Sequence, residues 1–238
     1  MTADRWTQAV RQQLGLGRLL PLGGPGDGAW ITEAAAVAVL RRAVRPVQGV
    51  RLGSLRLTLA DPDGASEPAV PPPPSALPPG PLRIDAEFAA LPTEPLPAAA
   101  SRLRAALTAT AVDTLGLTVT EVDLRVTGLL EEGGGPPEPA DSGPVPAAGP
   151  RPSPGTDESR VAAAALAVPA VTALPSKARI TELHSDTALP RRHVQVEIAV
   201  DTTARTLDTA AAVRNTITNS LPDHPSTAVL VTAVTPAP

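Results

Sequence analysis

Leu82-Arg83-Ile84-Asp85-Ala86-Glu87-Phe88 and Val194-Gln195-Val196-Glu197-Ile198-Ala199-Val200 share one rhythm, in which every second residue is apolar. A period of two places the apolar set on one face of a strand, so Ile84, Ala86 and Phe88 point to a core while Asp85 and Glu87 point to water. The surroundings of the two stretches also match. Upstream of each lies an apolar helix, ending near Val47-Gln48-Gly49-Val50 in one case and near Val168-Pro169-Ala170-Val171 in the other. Downstream of each come an amphipathic helix and a last alternating strand. One pattern thus occurs twice, on either side of a Pro/Gly-rich stretch at 131–158. The expectation is an α+β chain of two tandem αββαβ units, each a small three-stranded sheet with helices packed on it. The predicted boundaries are an N-terminal segment at 1–30 with a short amphipathic helix at 4–14, a first unit at 31–130, a disordered linker at 131–158, and a second, divergent unit at 159–238.

Within the first unit, Thr32 can cap a helix running from about Glu33 to Val44, with Glu33 at the positive end of the helix dipole and Pro46 beyond its end. A strand follows over 50–59, where Gly53-Ser54 predicts a change of phase or a bulge. Asp61-Pro62-Asp63-Gly64 signals a turn, and Pro71-Pro72-Pro73-Pro74 predicts an extended surface loop over 61–81. The stripe Leu96, Ala100, Leu103, Leu107, Ala111 and Leu115 marks a helix that Gly116 ends, before a strand over 119–129. In the second unit the expected elements are a helix at 160–168, a short strand at 178–183, the strand at 194–200, a helix marked by Leu207, Ala211, Val213, Ile217 and Leu221, and a strand at 227–234.

Composition narrows the function classes. The chain has 238 residues and a formal net charge of −4, which argues against a general affinity for phosphate backbones. Aromatic residues make up 1% of it, only Trp6, Trp30 and Phe88, so bases would find few stacking platforms and the cores must rest on Ala, Val, Leu and Ile. The absence of Cys removes disulfides, thiolate nucleophiles and thiolate metal ligands, as is compatible with a reducing compartment. No stretch approaches the ~20 apolar residues of a membrane span. The first residues lack the pattern of a secretory signal, and the expected location is the cytoplasm.

The first unit resembles the alkaline shock protein family, often called envelope stress response proteins. The resemblance rests on Ile31-Thr32-Glu33 with Ala34, Ala35, Val37 and Leu40, on Val47-Gln48-Gly49-Val50, and on the strand from Ile84 to Phe88. It continues through Leu115-Gly116-Leu117-Thr118-Val119 to Val122-Asp123-Leu124-Arg125-Val126, and covers roughly residues 31–129 and, less closely, 160–234. It implies small αββαβ units, largely without catalytic activity, gathered at the cytoplasmic face of the membrane by a membrane-anchored partner and tending to self-associate. It supplies no catalytic residues. The Pro-rich insertion and the second copy depart from the family pattern.

No catalytic constellation stands out. Asp85, Glu87, Asp123 and Arg125 fall on the solvent face of a sheet, where cross-strand pairing is their expected role. His184, His193 and His224 lack the tight spacing of a metal site and read as solvated loop residues. Gly23-Gly24-Pro25-Gly26-Asp27-Gly28 lacks the Lys-Ser/Thr of a phosphate loop. No cofactor is expected. The sequence therefore predicts a non-catalytic interaction or scaffold protein whose partner is another protein, with Trp6, Leu14, Leu19 and Trp30 as candidate partner-binding residues; their plain alternative is to cover the first unit's core. The first rival is a small-molecule or enzymatic site in a cleft between the units, and the second is a nucleic-acid-binding module.

Overall fold

The computed structural model describes residues 16–131, 149, 153–185 and 188–237. The expected helix at 4–14 and most of the linker at 131–158 lie outside the described residues. The strands are β1 (Leu19–Pro21), β2 (Ala29–Thr32), β3 (Val50–Leu59), β4 (Leu82–Ala90), β5 (Val119–Leu129), β6 (Val171–Ala173), β7 (Arg179–Ser185), β8 (Ala188–Asp201) and β9 (Ser226–Thr235). The helices are α1 (Glu33–Val44), α2 (Leu96–Ala109), which continues as a π-helical turn over Thr110–Leu115, α3 (Asp157–Leu166) and α4 (Thr206–Ser220). The chain is α+β, about 29% helix and 35% strand.

In each half a helix is followed by a strand antiparallel to the next, then a helix, then a strand parallel to the middle one. The first half forms a three-stranded sheet in the order β3-β4-β5. Its local chemistry follows the sequence. Thr32 caps α1 by accepting from the Ala35 N–H at 3.2 Å, and the register of β3 shifts between Leu52 and Leu55, where Gly53-Ser54 predicts a bulge. Ile84, Ala86 and Phe88 are buried.

The second sheet is larger than the sequence predicts. It has six strands, in the order β1-β2-β9-β8-β6, with β7 also paired to β8. The added strands β1 and β2 come from the N-terminal side of α1: β2 runs parallel to β9, with Trp30 beside Leu230 and Ile31 beside Val231. Residues 19–32 are therefore not a separate segment ahead of the first unit; they complete the sheet of the second half. The hydrophobic effect explains the exchange. Leu230 and Val231 would leave an apolar edge on β9, and β2 brings Ala29, Trp30 and Ile31, all at most 4% exposed, to cover it.

One apolar core runs through both halves, from Leu57, Ile84 and Phe88 through Leu40 and Leu115 to Val196, Val213 and Val231. Helix α1 touches both sheets, through β3 and β9, and the π-helical turn touches α4. At that last contact Gly116 has φ +86°, a left-handed conformation open to glycine. A Cβ there would collide with Cβ of Leu207 and stand 3.2 Å from Nε of Arg205. Arg205 Nε also donates to the Val112 carbonyl at 3.0 Å, tying α4 to the end of the first-half helix. Gly116→Ala is expected to lower unfolding free energy by at least about 1–2 kcal/mol from backbone strain alone, measured by urea denaturation.

The Pro-rich segment 61–81 is not merely a surface loop. Residues 75–77 run parallel beside β1 at the edge of the six-stranded sheet, where Leu19 exchanges backbone hydrogen bonds with Ser75 and Leu77. Val70, Ala76 and Leu16 pack there on Leu19, Trp30, Ala228 and Leu230. Extended Pro-rich backbone has few N–H donors to satisfy and can lie on a sheet with little loss of conformational entropy.

Candidate functional site

The open surface of the three-stranded sheet is built by the alternation that fixes its core. On β3, Ser54 and Thr58 point outward; on β4, Arg83, Asp85 and Glu87; on β5, Glu121, Asp123 and Arg125. The registers place Glu87 beside Arg125 and Asp85 beside Asp123. Ser54 Oγ donates to Glu87 Oε2 at 2.8 Å, Thr58 Oγ1 to Asp85 Oδ2 at 3.5 Å, and Arg83 Nε to Glu121 Oε2 at 2.7 Å. Arg83 also stands 3.4 Å from Asp123. The hydrogen bond that Arg83 donates to Glu121, and the charge of that carboxylate, hold the Arg83 guanidinium above its ordinary value. This is a solvated, cross-paired face of the kind the sequence predicts, with carboxylates engaged by neighbours on the sheet itself.

The two edges of this sheet differ. At β3, Leu57 donates its N–H to Glu33 Oε1 at 3.1 Å and accepts at its carbonyl from Arg18 at 2.9 Å, while Arg41 donates to the Gly53 carbonyl at 2.8 Å. Side chains of α1 and of the segment before β1 thus cap that edge, and a bulge distorts it. At β5 the described residues offer one comparable contact, from Arg104 Nε to the Val122 carbonyl at 3.4 Å. Val126 and Leu129 on β5 are 40% and 61% exposed, two of the three large apolar residues that the described chain leaves in water. A long, uncapped edge carrying exposed apolar groups is a template for another polypeptide. Sequence reasoning named the strand but not its edge, because position in a sheet is set by pairing partners distant in the chain.

The residues proposed from sequence for partner contact fall elsewhere. Leu19 and Trp30 are each 1% exposed, and Trp30 Nε1 donates to the Leu77 carbonyl at 3.3 Å. They are packing residues under the Pro-rich segment, unavailable at the surface, and the sheet they cover belongs to the second half and not to the first unit. Trp6 and Leu14 lie outside the described residues.

The histidines are not all solvated loop residues. His193 is a buried residue of β8, its Nδ1 2.9 Å from Ser226 Oγ. His224 is exposed in the turn before β9, at φ +44°, and His184 belongs to β7. Among the described residues no group of three His, Asp or Glu could hold a metal ion. Burial lowers the His193 imidazole below its ordinary value of 6.5, against the opposing contact with Ser226. On the outer face of the six-stranded sheet Glu197 sits beside Leu230, and burial raises its carboxyl against the opposing effects of Ser176 and Arg179.

These two shifts act in different pH windows. His193 takes up a proton less readily in the folded chain than in the unfolded one, so its contribution holds above about pH 6.5 and is lost as the pH falls below that value. Glu197 holds its proton more tightly when folded, so its contribution is present below about pH 4.5 and is lost as the pH rises. His193→Gln is expected to flatten the fall in urea midpoint between about pH 7 and 5. An unchanged slope would show that His193 does not set it.

Among the described residues no helix is long and apolar enough to cross a membrane. No protein-family model matches the chain, and no curated protein matches it closely enough to be a relative.

Proposed function

We propose that this chain is a non-catalytic interaction or scaffold protein of the envelope stress response type. It works through protein–protein contacts at the cytoplasmic face of the membrane, where a membrane-anchored partner holds it. The observation that carries the reading is the edge of β5, where the described residues place one side-chain contact, from Arg104, and leave Val126 and Leu129 exposed at its end. The solvent face beside that edge holds Arg83 paired with Glu121 and Asp123 and carboxylates that accept from Ser54 and Thr58, an arrangement suited to a wetted binding surface. The resemblance of the first half to the alkaline shock family supports the envelope assignment, and the order helix, strand, strand, helix, strand in that half is the one the resemblance implies. The two halves meet where Arg205 donates to the Val112 carbonyl and Leu207 lies close against the backbone of Gly116, a close junction that does not favour a ligand cleft.

The test is affinity capture of the tagged chain from separated membrane and soluble fractions of its own cells, with partners identified by mass spectrometry. Enrichment of one integral membrane protein is expected. Recovery of the chain with no enriched protein in either fraction would overturn the reading.

A further inference from the structure

We infer that the tetraproline Pro71-Pro72-Pro73-Pro74 is a binding ridge for a second protein, one that reads polyproline II helix through an aromatic-lined groove. This surface is separate from the β5 edge, and the inference shares with the proposed function only that the chain works by protein contact.

The backbone of the ridge is fixed by its own sequence. Each proline locks its φ at about −65°, and a residue that precedes proline is held in the extended region. Pro71, Pro72 and Pro73 meet both conditions and so take up polyproline II. The run ends in a tight turn: Ala76 donates its N–H to the Pro73 carbonyl at 3.1 Å, and Ser75 stands at φ +65°. Proline at the second position and a positive φ at the third mark a type II turn, which leaves Pro74 as extended as the three residues before it.

Burial follows the three-residue period of that helix. Val70 and Pro73, three apart, turn towards the protein: Pro73 is buried, and Val70 packs with Ala76 on the cluster of Leu19, Trp30, Ala228 and Leu230. Pro71, Pro72 and Pro74 are exposed. With three residues to a turn, Pro71 and Pro74 lie in line and Pro72 lies beside them. One side of the helix is thus anchored on the chain, and the other two face solvent. Both ends are pinned as well. Ala69 donates to the Pro25 carbonyl at 2.9 Å, and beyond the turn Leu19 donates to the Ser75 carbonyl at 3.2 Å and accepts from Leu77 at 2.9 Å. A ridge held in this way has little conformational freedom left to lose when a partner takes it.

The exposed chemistry selects the partner. Proline has no N–H, so the ridge offers pyrrolidine rings and carbonyl acceptors. Among the described residues no donor reaches the carbonyls of Pro71, Pro72 or Pro74. A groove lined by Trp and Tyr answers both features: ring faces pack on the prolines, while indole N–H and phenol O–H groups donate to the carbonyls. A second copy of this chain cannot supply that groove, because its aromatic residues are Trp6, Trp30 and Phe88 and the last two are buried. No charged residue lies between Glu67 and Arg83. Recognition therefore rests on shape and carbonyl hydrogen bonds, and it should change little with salt.

The experiment uses the full chain as bait in an extract of its own cells, beside a variant carrying Pro71→Ala, Pro72→Ala and Pro74→Ala. The variant keeps the anchors Val70 and Pro73, and thermal denaturation checks its fold. A ten-residue poly-L-proline peptide is the competitor. The expected result is a protein recovered with the wild type, depleted at least tenfold with the variant, displaced by the peptide and retained in about 0.5 M salt. Purified, that protein should bind the purified wild-type chain, with the peptide again competing. Displacement uses the wild-type chain, so the test stands even where the variant is destabilised. The inference is overturned if the peptide displaces nothing, or if the protein it displaces is recovered equally with the folded variant. One integral membrane protein recovered with both baits and indifferent to the peptide would sink the ridge and leave the proposed function standing. A displaced soluble protein with no membrane protein enriched would do the reverse.

Discussion

Phe88→Ala is expected to destabilise the whole chain by about 3–5 kcal/mol, and the loss should be visible from a tryptophan in the other sheet. Phe88 is fully buried in β4 and, among the described residues, is the one aromatic ring of the core shared by the two halves. Removing it deletes a large apolar area and leaves a cavity in the shared core. Trp30 lies in β2, within the six-stranded sheet. In a Trp6→Phe background its fluorescence reports that sheet alone. Because α1 packs on both sheets and one core runs through both halves, fluorescence and far-ultraviolet circular dichroism should give one coincident transition, shifted equally by Phe88→Ala. A fluorescence transition left in place while the dichroism transition moves would show two independently folding units.

Trp30→Ala is expected to cost a similar amount, about 3–5 kcal/mol, and to do so through packing. The ring is 1% exposed, covers Leu230 on the outer sheet face, and holds the Pro-rich segment by its bond to the Leu77 carbonyl. Its loss should free that segment as well as weaken the sheet, so limited proteolysis within 61–81 should accelerate beyond what the fall in global stability explains. Trp30→Phe keeps most of the apolar area and should recover more than half of the lost stability while leaving the loop bond unmade. If Trp30→Ala left the urea midpoint unchanged and abolished partner capture, the residue would be a surface contact after all.

The elements were largely legible because they rest on local chemistry. Thr32 as a helix cap, the bulge at Gly53-Ser54, the alternation from Ile84 to Phe88 and the glycine stop at Gly116 each have a cause within a few residues, and each is found in the structure. What escaped is set by pairing between distant residues. Nothing local in Leu19-Leu20-Pro21 or Ala29-Trp30-Ile31 indicates that they add strands beside β9, about 200 residues on, since short apolar runs fit a strand, a loop or a docking segment equally. The same applies to His193, which reads from sequence as a solvated loop residue but which β8 carries into the sheet. The open edge of β5 was invisible for a related reason: alternation tells which face a residue occupies, but not whether a strand is central or at an edge.

That the chain works through protein contacts on its three-stranded sheet is tested most directly by capture with and without the exposed apolar end of β5. Val126→Asp with Leu129→Asp alters two surface positions, so folding should change little, and thermal denaturation can verify it. Tagged wild-type chain and this variant would be recovered from the membrane fraction and their partners quantified. The expected result is one integral membrane protein enriched with the wild type and reduced at least tenfold with the folded variant. Equal recovery of partners by both, or enrichment of no protein by either, would contradict it.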